Sequence, residues 1–202
     1  ASGHQALYNN TTGDNNTAIG REALKDNTTG QYHVALGYRA LYNNTTANHN
    51  VGVGKDALLA NTTGSENTAV GTQALAANTT ASNNTAVGYQ ALDANTTGSE
   101  NVAIGAAALS AATTSNVAIG HQAMFPTTTG NLNVAVGEQA LRLNTVGDRS
   151  TAVGAYSLYS QNPSSNADMY NTAVGYNAMF ANTTGTENVA LGALALDANT
   201  TA

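Results

Sequence analysis

Apolar positions return along this chain on a fixed beat. Each copy after the first carries an apolar or Thr residue, a small residue and an aliphatic, closed by glycine, as in Thr68-Ala69-Val70-Gly71 and Val102-Ala103-Ile104-Gly105. Two variable residues follow, then Ala and Leu or Met, as in Ala91-Leu92 and Ala123-Met124, with Ser157 replacing Ala once. Aligned on the glycine, the copies fall at Gly3, Gly20, Gly37, Gly54, Gly71, Gly88, Gly105, Gly120, Gly137, Gly154, Gly175 and Gly192. The spacing is 17 residues, except for 15 after Gly105 and 21 after Gly154. The triplet has period two and predicts a short strand. The glycine predicts a tight turn, the Ala-Leu pair a second short strand, and the recurrent Asn-Thr-Thr-Gly a longer turn. Nothing apolar recurs at three and four positions for more than one turn, which excludes a helix.

Self-similarity at this period is the mark of a solenoid. The fold class expected is all-β: a parallel β-roll of about twelve 17-residue coils in which each strand stacks on its copy in the next. At about 4.8 Å per step the stack is a rod of roughly 50 Å. The expected interior is the aliphatic before glycine together with the Leu/Met row, represented by Ile19, Leu24, Val70, Leu75, Val87, Leu92, Ile104 and Leu109. Asn rows are expected to bond from turn to turn and Thr rows to line an edge. Alternation then sends both Ala rows outward as a flat methyl face, which needs a cover; another chain about a symmetry axis supplies one. Residues 1–202 read as a single repeat domain without a linker. The chain starts and stops inside a repeat without caps, as expected of a segment of a longer fibre protein.

Composition narrows the function classes. Only 9% of residues are charged, the net charge is -6, and neither Cys nor Trp occurs. No Lys/Arg cluster is expected anywhere on the chain, so a phosphate-binding surface has no electrostatic footprint and nucleic acid is not an expected partner. The absence of cysteine excludes disulfides and thiolate metal sites. No apolar run approaches the length of a membrane span, so direct membrane insertion is not expected of this segment.

Candidate chemistry is sparse. The Asn-Thr-Thr triplets match the N-glycosylation pattern but are also what a repeated turn prefers, and the turn is the favoured reading. Because the two Thr are adjacent, they cannot both face one way on a flat strand, which speaks against an ice-binding array. His4, His33, His49 and His121 gather no metal set, and Glu66 and Glu100 lack the calcium-roll pattern. No nucleophile motif or paired carboxylates stand apart from the repeat, so an enzyme is not expected, and neither cofactor nor metal is assigned. The 21-residue unit is the informative irregularity: it brings Tyr156, Tyr159, Met169 and Tyr170 close in sequence and is the candidate ligand-contact loop. The competing reading is an insertion packed on its own scaffold.

The unit Asn101-Val102-Ala103-Ile104-Gly105 and its copies resemble the head repeats of YadA-like trimeric autotransporter adhesins, in which a shorter unit reads Asn-Ser-Val-Ala-Ile-Gly-x-x-Ala. Similar repeats occur in phage tail fibres and other trimeric bacterial surface fibres. The resemblance covers all the copies; the longer repeat and the missing neck and stalk signatures depart from it. It implies a left-handed roll, a homotrimer, and an adhesive or spacer head on a bacterial outer surface or a virion tail fibre. The expected partner is a host-cell or prey surface glycan or matrix protein. The alternatives are a passive spacer and, less favoured, an ice-binding solenoid.

Overall fold

The computed structural model describes residues 1–111, 114–126 and 129–201. It is all-β and forms a parallel β-solenoid whose coil is the 17-residue repeat. Two compact units divide the chain, residues 1–100 and 101–202.

The first unit contains β1 (Thr17–Ile19), β2 (Val34–Leu36), β3 (Val51–Val53), β4 (Thr68–Val70) and β5 (Thr85–Val87). Each pairs in parallel with the next in identity register, so that Ala18, Ala35, Gly52, Ala69 and Ala86 form one row. The copy before β1 contributes a single parallel bridge, Ser2 to Ile19. In the second unit the same register links β6 (Val102–Ile104), β7 (Val117–Ile119), β8 (Val134–Val136), β10 (Thr151–Val153), β12 (Thr172–Val174) and β13 (Val189–Leu191). There β9 (Gly147–Asp148) and β11 (Ala167–Asp168) form a separate parallel pair beside the longer coil.

The strand faces are reversed from the sequence expectation. Ala18, Ala35, Ala69 and Ala86 are fully buried, whereas Ile19 is 52% exposed, Ile104 38% and Val70 37%, with Val87 half-buried. Period two fixes that neighbours point oppositely but not which set points inward. Available space decides it. A Cβ built on Gly52, the one glycine in the alanine row, comes within 3.3 Å of Leu41 Cγ and 3.4 Å of the Ala57 carbonyl oxygen. The interior at that point therefore has room for a methyl and no more. Leu24, Leu75, Leu92 and Leu109 are fully buried, as expected, and fill the rest.

The second expected strand is a different structure. Ala23 and Leu24 are both buried, which an extended strand forbids because its successive side chains point to opposite faces. The backbone there alternates sign, with φ of 131° at Gly20, 60° at Glu22 and 50° at Leu24. This segment still ladders with its neighbours: Glu22 N–H donates to the His4 carbonyl at 2.9 Å and Leu24 N–H to the Ala40 carbonyl at 3.0 Å. At the glycine that opens it no side chain fits, since a Cβ on Gly71 would stand 2.4 Å from the Gly88 carbonyl oxygen.

Candidate functional site

Three surfaces of the coil are candidates: the Thr-Thr turn, the outward face of the strands, and the variable segment after glycine. No cavity is found among the described residues.

At the turn, polar groups are consumed inside the chain. Asn27, Asn44, Asn61 and Asn78 are fully buried, and each Nδ2 donates to the Oδ1 of the asparagine one coil earlier, at 2.7, 2.8, 3.1 and 2.8 Å. Amides buried in a ladder are not glycan acceptors. The first Thr of each pair is likewise engaged: Thr11, Thr28, Thr45 and Thr62 donate Oγ1–H to the carbonyl of the matching Thr in the next coil. A second asparagine row precedes the strands, where Asn50, Asn67 and Asn84 donate to carbonyls of the next coil at 2.7 to 2.9 Å.

The strand face carries two outward rows. One is Thr17, Val34, Val51, Thr68 and Thr85 in the first unit; the other is Ile19, Leu36, Val53, Val70 and Val87. No charge occurs in either row, and none occurs in the matching rows of the second unit, from Val102 and Ile104 to Val189 and Leu191.

The expected contact loop is divided by the structure. Tyr156 and Tyr159 lie together, ring centroids 6.1 Å apart, and extend to two residues of the next coil. Tyr176 meets Tyr156 edge-on at 6.2 Å, and Phe180 stacks on Tyr159 at 5.0 Å with planes 10° apart. Glu138 raises the Tyr156 phenol above its ordinary pKa through its negative charge. Tyr170 makes different contacts: its hydroxyl donates to Asp168 Oδ2 at 3.0 Å and the Arg149 guanidinium lies over its ring. Arg149 is also paired with Asp168, and the hydrogen bond from Tyr170 to Asp168 raises the Tyr170 phenol above its ordinary pKa. Met169 is fully buried and so lies beneath the surface on which the tyrosines sit. Its Cγ lies 3.0 Å from where a Cβ on Gly147 would be, so the side chain fills space that this glycine leaves open. Tyr176, which the linear reading missed, was traceable by stepping the 21-residue spacing forward from Ala155, the position after Gly154.

No family model, curated protein or solved structure matches this chain.

Proposed function

We propose that this chain is a head segment of a trimeric surface fibre, a left-handed β-roll that mediates adhesion to a cell surface or matrix. The observation carrying this reading is the outward strand face: aliphatic in one row, Thr or Val in the other, half-buried to exposed, and free of charge in both. Soluble proteins seldom leave such a stripe uncovered. Its repetition coil by coil suits a self-complementary contact between identical chains in register. The setting is a bacterial outer surface or a virion tail fibre, and the partner a glycan or matrix protein of a host or prey cell. Contacts on the variable segments are individually weak and are multiplied by three copies. The engaged Thr hydroxyls leave an ice-binding array without its first row.

Light scattering on the purified chain is expected to give three times the 20.4 kDa chain mass; a well-folded monomer overturns the assembly. Binding to mammalian and bacterial cell surfaces is then measured for wild type and Tyr159→Ala/Tyr176→Ala. Retention by the wild type supports adhesion, whereas no retention on any surface leaves the segment a spacer.

A further inference from the structure

Basic residues are scattered in the sequence, yet the first unit gathers four of the chain's six. Arg21, Lys25, Arg39 and Lys55 all lie on the segment after glycine in three successive coils. Their rows interleave with tyrosine: Arg21, Tyr38 and Lys55 occupy the first position after glycine, and Lys25 and Tyr42 the fifth. The Arg21 guanidinium lies 5.9 Å from the Tyr38 ring centroid, and that of Arg39 lies 5.7 Å from Tyr38 and 5.2 Å from Tyr42. Lys25 Nζ is 5.0 Å from the Tyr42 centroid and donates to the Tyr42 hydroxyl at 2.9 Å.

Three acids share these segments, Glu22, Asp26 and Asp56, so the sum is four bases against three acids. Depth separates the signs in two neighbouring pairs. The Arg21 and Lys55 side chains are 63% and 61% exposed, while Glu22 and Asp56 are 15% and 11% exposed. Asp56 lies 3.8 Å from both Arg39 Nε and Lys55 Nζ, and Asp26 accepts from the Asn9 amide at 2.9 Å. Arg21, Tyr38 and Lys55 face the solvent and Lys25, Arg39 and Tyr42 are half-buried, with the carboxylates beneath or beside them.

We infer that this lattice of Arg21, Lys25, Tyr38, Arg39, Tyr42 and Lys55 binds an acidic saccharide, one bearing carboxylate or sulfate groups among neutral hydroxyls. The inference rests on the adhesive reading and names its ligand class. Guanidinium and ammonium groups bind the acid, phenol hydroxyls and the side carboxylate of Asp26 take sugar hydroxyls, and the tyrosine rings add apolar contact to the sugar. A nucleic acid fits less well. The cations lying over Tyr38 and Tyr42 compete with its bases for their ring faces.

The full chain is passed over immobilised heparin, polygalacturonate and dextran and titrated with single-stranded poly(dT). Arg21→Gln/Lys55→Gln and Tyr38→Ala/Tyr42→Ala are compared with wild type, and Arg142→Gln, in the second unit, is the control. The expected result is retention on heparin, on polygalacturonate or on both, weakening with salt and absent on dextran. Binding falls at least about tenfold in Arg21→Gln/Lys55→Gln and is unchanged in Arg142→Gln. Retention on polygalacturonate shows that carboxylate suffices, and retention on heparin alone assigns the contact to sulfate. No retention on either, unchanged binding by the patch variants, an equal loss in Arg142→Gln, or tighter binding to poly(dT) overturns the site. Melting curves accompany each variant, and Lys55→Gln alone carries the test if a double variant melts early. Cell-surface binding measured on the same variants distinguishes failure of this site from failure of adhesion.

Discussion

His33 stands in a row that is otherwise asparagine at Asn16, Asn50, Asn67 and Asn84, and it reproduces that row's hydrogen bonds with a ring. Nε2 donates to the Ala47 carbonyl at 2.7 Å, and Nδ1 accepts the Asn50 N–H at 3.2 Å. Those two bonds require the neutral ring protonated on Nε2. The groups packed around it are the amides of Asn16 and Asn44 and the nearby His49, none of which offers a carboxylate to a charged ring. Burial accordingly lowers its pKa below the ordinary value. The folded protein thus binds fewer protons than the unfolded chain between that depressed value and about 6.5, and stability rises with pH across this window. The contribution is present in full above about pH 6.5 and is lost as pH falls through the folded pKa. Melting temperature is expected to drop on acidification through this window in wild type and to drop less in His33→Asn, the row's usual residue. An equal drop in both would remove His33 as the cause.

At the level of elements, two departures from the repeat compensate each other. Ser150 replaces the asparagine before β10, and Gln161 replaces the asparagine of the turn ladder in the same coil. Ser150 is too short to cross to the next coil; Gln161 is one methylene longer and bridges the difference. Its Nε2 donates to Ser150 Oγ at 2.9 Å, and its Oε1 accepts from Asn171 Nδ2 at 2.9 Å. Gln161→Asn alone strands buried polar groups, and Ser150→Asn alone crowds the site, each at a cost of about 1–3 kcal/mol. Both together restore the ordinary pair, so denaturant titration of the double-mutant cycle is expected to give a coupling of about 1 kcal/mol or more. Additive losses would show that the two sites do not compensate. The same comparison explains what could be read from the letters. Repeat length, strand position and asparagine ladders were legible because identical letters at a fixed spacing stack on one another. The direction of the alanines was not, because alternation is symmetric and only the room left by Leu41 resolves it. Nor was the alternating φ after glycine, since glutamate and leucine in that backbone region run against their own preferences. The basic lattice escaped because its members are neighbours across coils rather than along the chain.

For the whole molecule, the reversed strand faces yield a test that separates folding from assembly by a shift of one residue. Val87 points out of the chain and Ala86 into it, and both belong to β5. A lysine at Val87 leaves the interior untouched and places a charge in a face that otherwise has none, which opposes its burial against another chain. Val87→Lys is expected to keep its circular dichroism while its molar mass falls toward the 20.4 kDa of one chain. At Ala86 the side chain is fully buried in the row whose interior is set by the leucines, and two added methyl groups have nowhere to go. Ala86→Val is expected to lose about 1–3 kcal/mol of stability in a denaturant titration, despite valine's greater preference for strands. The opposite pattern, with Val87→Lys unfolding the chain and Ala86→Val tolerated, would put the aliphatic row back inside. A Val87→Lys chain that keeps the wild-type mass would place the contact between copies on another face.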